Sequence, residues 1–359
     1  EEEEEGRGAA GQRVFSLPSK LRQHFMVVEC KQRLLALCAF LRQRAVPSSR
    51  ECKVIVFVSC VAEVKFLQHI LARAVLPSQW IEADGDRACD PDDSDDEGAG
   101  PGGDGPHHLL NLPVLSLHGD MVQGERTKTF FAFTAARRAV LVCTDVAARG
   151  LDFPRVDWIV QYDAPTDVEE YVHRCGRTAR MTTEGDALLL LMPHEDKYLH
   201  TLGSHGLRLS LLPPDSLRMV AKQGGGGKSR DRGEGLENYL ALQRWAEDVV
   251  ATCPTAGDLA MDAYTAFIRA YSTHSKENKK IFHPKALHLG HVAASFGLRE
   301  APKKIKMAQR RRHSDKDAAH KARFHRDKGK RKGEGGDGGR GGKRAKGFDA
   351  DKFVGLSAI

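Results

Sequence analysis

Six short apolar runs, separated by stretches of helical periodicity, constrain this chain more than any other feature. The runs are His24–Val28, Val54–Ser59, Val114–Leu117, Ala139–Cys143, Trp158–Tyr162 and Ala187–Met192. Segments such as VIVFVS and AVLVC carry almost no polar interruption, as strands buried on both faces require. Between them, Lys31–Gln43, Val61–Ala74, Gln123–Ala135, Asp167–Cys175 and His194–Ser204 read as helices. Strand alternating with helix predicts an α/β fold, a mostly parallel sheet with helices on both faces. Thr166 followed by Glu169 reads as a capping box at the start of the fourth helix.

The rest of the chain has a different texture. Residues 236–300 read as helix only, with segments Glu237–Ala251, Asp258–Tyr271 and Lys285–Ala294 broken at Cys253-Pro254-Thr255 and before Pro284. This is a small helical extension to the α/β domain, which is assigned 15–221. Four segments bury nothing and are expected to be disordered: the acidic start 1–14, an Asp/Gly/Pro insertion at 82–108, a Gly-rich linker at 222–235 and a basic tail at 301–359. The linker contains GGGGKS, which resembles a phosphate-binding loop. The required glycine five places earlier is Lys222, and no strand precedes it, so linker is the better reading.

Charge is segregated along the chain. The tail holds 19 Lys or Arg against 7 Asp or Glu, while residues 82–104 hold ten acids against Arg87 alone. Setting aside that insertion and Glu1–Glu5, the first 300 residues are basic by roughly nine charges, a balance suited to a polyanion. The eight cysteines form no CxxC pair, so they read as buried thiols of a reducing compartment, with no metal site. His288 and His291 are three apart on an expected helix and read as packing residues. No apolar run approaches the roughly 18 residues of a membrane span, and no signal peptide is visible. The chain opens on Glu1 with no initiator Met and reads as a fragment or as the product of an incomplete gene prediction.

Two polar stretches carry the chemistry. Ala139–Cys143 runs directly into TDVAARGLD, residues 144–152, at the carboxyl end of a strand, where open α/β sheets bind ligands. Thr144 and Gly150 can meet a phosphate and Asp152 a sugar hydroxyl; alone, such a loop is more simply a turn with a satisfied Asp. HRCGRTAR, residues 173–180, sets Arg174, Arg177 and Arg180 three apart, and such a row repels itself unless anions intervene. A solvated basic face is the plainer alternative. The two stretches follow successive strands, so both are expected to open on the same edge of the sheet.

In this order, the elements resemble motifs of the DEAD-box RNA helicases. TDVAARGLD and HRCGRTAR are similar to motifs V and VI, VIVFVS to motif IV, and Gly119 with Gln123 and Arg126 to a Gly…Gln-x-x-Arg element. The likeness covers roughly residues 15–210 as the second RecA-like domain. It continues at 274–302, which is similar to the helical C-terminal extension of several nucleolar members, while the long insertion after motif IV and the stretch DWIVQYDAPTDVEEYVHRCGRTAR most resemble the DEAD-box helicase 31 subfamily. The resemblance implies that Arg177 and Arg180 are arginine fingers toward the ATP γ-phosphate and that Asp152 faces the ribose. It implies that Gly119, Gln123, Arg126, Thr144 and Gly150 hold the RNA backbone, and that Arg149 and His173 lie between the domains. Motif VI departs from the family at Cys175, where an aliphatic residue is common, and at Ala179, where Gly is common; local repacking is expected.

The motifs of a first RecA-like domain, a GxxxxGK[ST] loop and an Asp-Glu-Ala-Asp run, are not in this sequence. ATP and Mg2+ would be held mainly there, so this chain alone is expected to hydrolyse ATP no faster than background. The resemblance implies an ATP-dependent RNA helicase, with preribosomal RNA and possible preribosomal proteins as partners and the nucleolus of the nucleus as its place. The alternative is a non-catalytic module that binds RNA or preribosomes without an ATPase domain. A DNA helicase or remodeller fits the motif wording less well.

Overall fold

The computed structural model describes residues 6–7, 13–45, 51–73, 109–110, 112–148, 151, 153–179, 184–213, 234–300, 303–304 and 307. The insertion 82–108 and the tail beyond 307 lie outside the described residues, as do most of the acidic start and of the linker. Chain contacts divide the molecule into Glu1–Lys306 and Met307–Ile359, and the sheet and the helical extension both belong to the first unit.

Seven parallel strands form the sheet. In chain order they are β3 (Leu21–Val27), β4 (Cys52–Phe57), β5 (Val114–Leu117), β6 (Arg138–Cys143), β7 (Trp158–Gln161), β8 (Gly185–Leu191) and β9 (Ser210–Leu211). Across the sheet the order is β5-β6-β4-β7-β8-β3-β9. A separate two-residue pair, β1 (Gly6–Arg7) with β2 (Arg13–Val14), is antiparallel. β4 is buried at every position, with Val54, Ile55 and Val56 at 0% exposure, because helices cover both its faces. Each such side chain removed from water contributes about 1.5–3 kcal/mol, so the central strands anchor the fold.

The helices are α1 (Arg33–Ala45), α2 (Val61–Arg73), α3 (Gln123–Ala135), the one-turn α4 (Asp145–Ala148), α5 (Val168–Cys175) and α6 (Tyr198–Ser204). The expected helix at His194–Ser204 is split: a 3-10 turn at Pro193–Glu195 precedes α6. The expected capping box also differs. Asp167, with extended backbone, is the N-cap of α5, and its carboxylate accepts the Glu170 N–H at 2.8 Å. Glu170, one residue beyond the expected partner, accepts from the Thr166 hydroxyl at 2.8 Å. An aspartate can reach the first-turn amides as well as threonine, and its charge meets the positive end of the helix.

The extension consists of α7 (Glu234–Thr252), α8 (Pro254–Tyr271) and α9 (Leu289–Ser295), with 3-10 turns at Asn278–Lys280 and Pro284–Ala286. α7 begins inside the segment read as linker. Pro254 opens α8, where its missing N–H costs nothing. α8 packs on α2 and α7, and Phe296 after α9 meets Phe66 of α2 edge-on at 5.5 Å between ring centres. Gly297, at φ +69°, ends α9: its N–H bonds Ala294 O and that of Leu298 bonds Ala293 O, a Schellman closure that needs a left-handed residue. A Cβ there would stand 2.9 Å from Ala246 O of α7.

His288 and His291 are exposed, contrary to the packing expectation. His288 is the N-cap of α9, its Nδ1 accepting the His291 N–H at 3.2 Å, because the imidazole nitrogen can replace a capping oxygen. Of the described cysteines, Cys60 and Cys253 are partly exposed rather than buried, and all seven are free thiols.

Candidate functional site

The carboxyl ends of β5 and β6 lie side by side, Leu117 in register with Cys143. Thr144, directly after β6, is 8% exposed and donates its N–H to Leu117 O at 3.3 Å. Gly119 follows β5 after the buried His118, and a Cβ built on it would meet nothing within 4 Å, so its backbone faces open space. Gln123 is exposed in the first turn of α3, with Arg126 partly exposed one turn on. Four of the five expected RNA-backbone residues therefore gather where β5 and β6 end. The fifth, Gly150, lies outside the described residues, as do Arg149, Asp152 and Arg180.

The arginine row does not act as three equivalent cations. Arg174 is 3% exposed, and its guanidinium meets Asp145 twice, Nε to Oδ1 and Nη2 to Oδ2, both at 2.6 Å. Its Nη1 donates to Asp163 O at 2.7 Å, and its plane lies 5.3 Å from the Phe57 ring centre. Burial alone would lower its pKa, but Asp145 holds it above the ordinary arginine value. Arg174 is thus a sealed structural ion pair rather than a phosphate ligand.

Arg177 differs. It is partly exposed, its Nη1 donates to the carbonyl of Leu151 at 2.9 Å, and among the described residues no carboxylate pairs with it. Burial lowers its pKa somewhat. The guanidinium keeps its charge, with other N–H groups available to an anion.

These contacts run in order along a seam: Arg174 to Asp145, Arg177 to Leu151, and Thr178 Oγ1 to Val156 O. A helix after a parallel strand must run back toward the strands' amino ends. Only the start of the seam therefore stands on the carboxyl edge, and Arg177 sits farther along it, where a single shared edge was expected.

His173 is exposed on α5. Cys175 is fully buried and accepts from Gln161 Nε2 at 3.4 Å; burial pushes its thiol up to about 12, so it packs as a small neutral group. Ala179 adopts φ +55°, a left-handed conformation that glycine takes freely and alanine does not. The departure at 179 is met by backbone strain as well as by packing. Gly185, the first residue of β8, faces it closely: a Cβ there would fall 2.1 Å from Thr178 Oγ1 and 2.7 Å from Ala179 N.

Beneath the seam lies a buried charged group that the sequence did not reveal. Arg33 pairs with Asp163 and donates to Tyr162 O at 2.5 Å. Ser59 N–H donates to Asp163 Oδ2 at 2.7 Å. Burial opposes ionisation of Asp163, but Arg33 outweighs it and keeps the carboxylate low. Glu63, fully buried, is pushed far up by burial and by the charge on Asp163, so it is held neutral. Glu195 accepts from Met192 N–H and from the Tyr271 hydroxyl, both at 2.7 Å, and burial raises it to about 7. Among the described residues no group of three His, Cys, Asp or Glu is arranged to hold a metal ion, and no helix is long and apolar enough to cross a membrane.

Residues 106–182 match the family model described as helicase conserved C-terminal domain, and residues 254–304 match that of the ATP-dependent rRNA helicase SPB4-like, C-terminal extension. The human ATP-dependent DNA helicase DDX31 is 39% identical over 308 residues, which are 83% of this chain and 34% of the human protein. The rice DEAD-box ATP-dependent RNA helicase 17 is 38% identical over 80% of this chain and 46% of its own length. The chain thus spans between a third and a half of these relatives. A solved structure, the DEAD-box helicase Mss116 bound to ssRNA and UDP-BeF, aligns with a TM-score of 0.51 at 21% identity, covering 78% of this chain and 44% of that one, a likeness of fold.

The sheet order and the motif-bearing turns are those of a helicase C-terminal, RecA-like domain. More particularly, this chain belongs to the DEAD-box helicases, as their C-terminal domain followed by an SPB4-like extension.

Proposed function

We propose that this chain is the second half of an ATP-dependent RNA helicase, closing on a nucleotide held by a first RecA-like domain. The observation that carries this reading is the contrast between two arginines one turn apart. Arg174 is neutralised by Asp145, whereas Arg177 keeps a half-covered guanidinium bound to one backbone carbonyl, with no carboxylate among the described residues. A desolvated cation with N–H groups to spare fits a phosphate, whose transferring group gains negative charge as the bond to its leaving group lengthens. Bound ATP supplies that phosphoryl group, and its Mg2+ belongs to the opposing domain in this reading. Arg177, with Arg180, stabilises the charge; Asp152 meets the ribose; Arg149 and His173 face the opposing domain.

RNA backbone is assigned to Gly119, Gln123, Arg126, Thr144 and Gly150. An open glycine, an exposed amide, a cation and a hydroxyl suit phosphate and sugar contacts, which position a strand without reading its bases. RNA is preferred to DNA because the rice relative is named an RNA helicase and the extension model an rRNA helicase, although the human relative is named a DNA helicase. The same extension, named for an rRNA helicase, favours preribosomal RNA as substrate, and the nucleolus is the place of action in this proposal. The test is ATP turnover with and without RNA. The chain alone should stay at background, and a chain in which these residues follow an ATP-holding RecA-like domain should show RNA-stimulated hydrolysis. RNA-stimulated turnover by the isolated chain would refute the division of labour.

A further inference from the structure

The extension touches the sheet domain in several places, and one of them reaches the arginine seam. Asn278, 2% exposed in the turn Asn278–Lys280, donates from Nδ2 to the carbonyl of Thr166 at 3.2 Å. The N–H of Ser275 donates to the same carbonyl at 3.3 Å. Thr166 immediately precedes the N-cap of α5, and its hydroxyl already bonds Glu170 in the first turn. The carbonyl at the head of the motif VI helix is therefore held from the extension by two donors.

The donor is itself fixed. Ile281 and Phe282 N–H groups both bond Asn278 O at 2.9 Å, and Ser275 Oγ accepts the Asn278 N–H at 3.4 Å. Phe282 stacks on His274 with ring centres 4.1 Å apart and planes 10° apart, and meets Tyr198 edge-on at 5.2 Å. Tyr198 in turn donates its hydroxyl to Asp167 O at 3.3 Å, at the helix cap itself. α5 has eight residues, about 12 Å of helix, too short to bend. A displacement at Thr166 is therefore carried to its other end, where Arg174 is locked and Arg177 is presented.

We infer that Asn278 is a positioning residue for Arg177, so that docking of the extension sets where the arginine points. This rests on the ATPase reading above. A contact serving only to attach the extension has no need of a buried amide aimed at this one carbonyl. Attachment is available elsewhere, as where the Tyr271 hydroxyl donates to Glu195 at 2.7 Å.

The experiment compares Asn278→Ala with Tyr271→Phe, which removes the hydroxyl's bonds to Glu195 and His194 from the same interface away from α5. The Nε–Hε signals of Arg174 and Arg177 are followed by NMR in the 359-residue chain. Both variants should lose similar stability, but only Asn278→Ala should shift or broaden the two arginine signals; Asn278→Ser, less disruptive to packing, should do the same. In the two-domain protein Asn278→Ala should lower kcat by roughly threefold to tenfold, the scale of one hydrogen bond, with KM for ATP changed less than about twofold. Unmoved arginine signals, equal disturbance in both variants, or an unchanged kcat would overturn the inference. If the two-domain wild type shows no turnover, the functional reading fails, and the spectra still decide the link between Asn278 and the seam.

Discussion

Arg174 and Asp145 meet through two parallel contacts of 2.6 Å, with the arginine 3% exposed. The pair ties the turn after β6 to the helix after β7, so the two motif-bearing segments form one body. A planar guanidinium facing a carboxylate fixes both distance and orientation, which a lysine does not.

Arg174→Ala should therefore destabilise the domain by about 3 kcal/mol, since breaking a buried pair strands the remaining partner. Chemical denaturation measures it. Arg174→Lys should recover only part of the loss, having a single point of charge. A loss below about 1 kcal/mol for Arg174→Ala would show that the pair does not hold the two segments together.

Ala179 is held at φ +55°. Relief of a left-handed alanine is worth about 1–2 kcal/mol, offset by about 0.4–1 kcal/mol of added freedom in the unfolded chain. Ala179→Gly should raise stability by about 0.5–1 kcal/mol, read as a higher denaturation midpoint. Gly185→Ala, which forces a Cβ into Thr178, should lower it.

Much of the sheet was legible because its signal is local. β5 and α3 begin and end where expected, and β4 and β6 differ by one or two residues at their ends, since unbroken Val, Ile and Leu runs suit no other place. β3 starts at Leu21, three residues early, because Arg22 and His24 are polar yet satisfied by Asp186 across the sheet. β9, two exposed residues, has no local signal. The site was legible as motif and spacing, not as contacts. Charge spacing marked Arg174 and Arg177 alike, and nothing local tells that an acid 29 residues away buries one of them. Asp145 was visible beside Thr144, but Arg33, Glu63, Asp163 and Glu195 are assembled by the fold alone. The bond from Asn278 to Thr166 spans 112 positions and leaves no trace in spacing.

Glu195 should make stability depend on pH in a definite direction. Its carboxyl is raised from the ordinary 4.5 to about 7, mainly by burial. Below pH 4.5 it is protonated folded and unfolded alike. Between 4.5 and about 7 the unfolded chain has released a proton that the folded one keeps, so stability falls as pH rises through this window. Glu195→Gln, mimicking the neutral acid, should match the wild type near pH 4.5 and exceed it by about 3 kcal/mol at pH 8. Glu63 and the buried histidines titrate in both proteins, and because His194 Nε2 lies 4.0 Å from Glu195 Oε1 the comparison is made with His194→Gln in both, so that the difference isolates Glu195. Parallel pH curves would count against this assignment.

The basic tail gives a prediction about binding. Deleting 301–359 removes 19 cations. Affinity for single-stranded RNA should drop, and the slope of log K against log salt should flatten by about 0.7 for each phosphate that the tail had neutralised. Unchanged affinity and slope would remove the tail from RNA binding.

In the proposed division of labour Arg177, free of any acid among the described residues, acts on a nucleotide supplied from a neighbouring domain. The most direct test is RNA-stimulated ATP turnover by the two-domain protein with Arg177→Ala. Arginine fingers are worth roughly 10³–10⁵ in kcat, so turnover should fall at least about a thousandfold while the denaturation midpoint moves little. A variant that hydrolyses ATP at the wild-type rate would contradict the account.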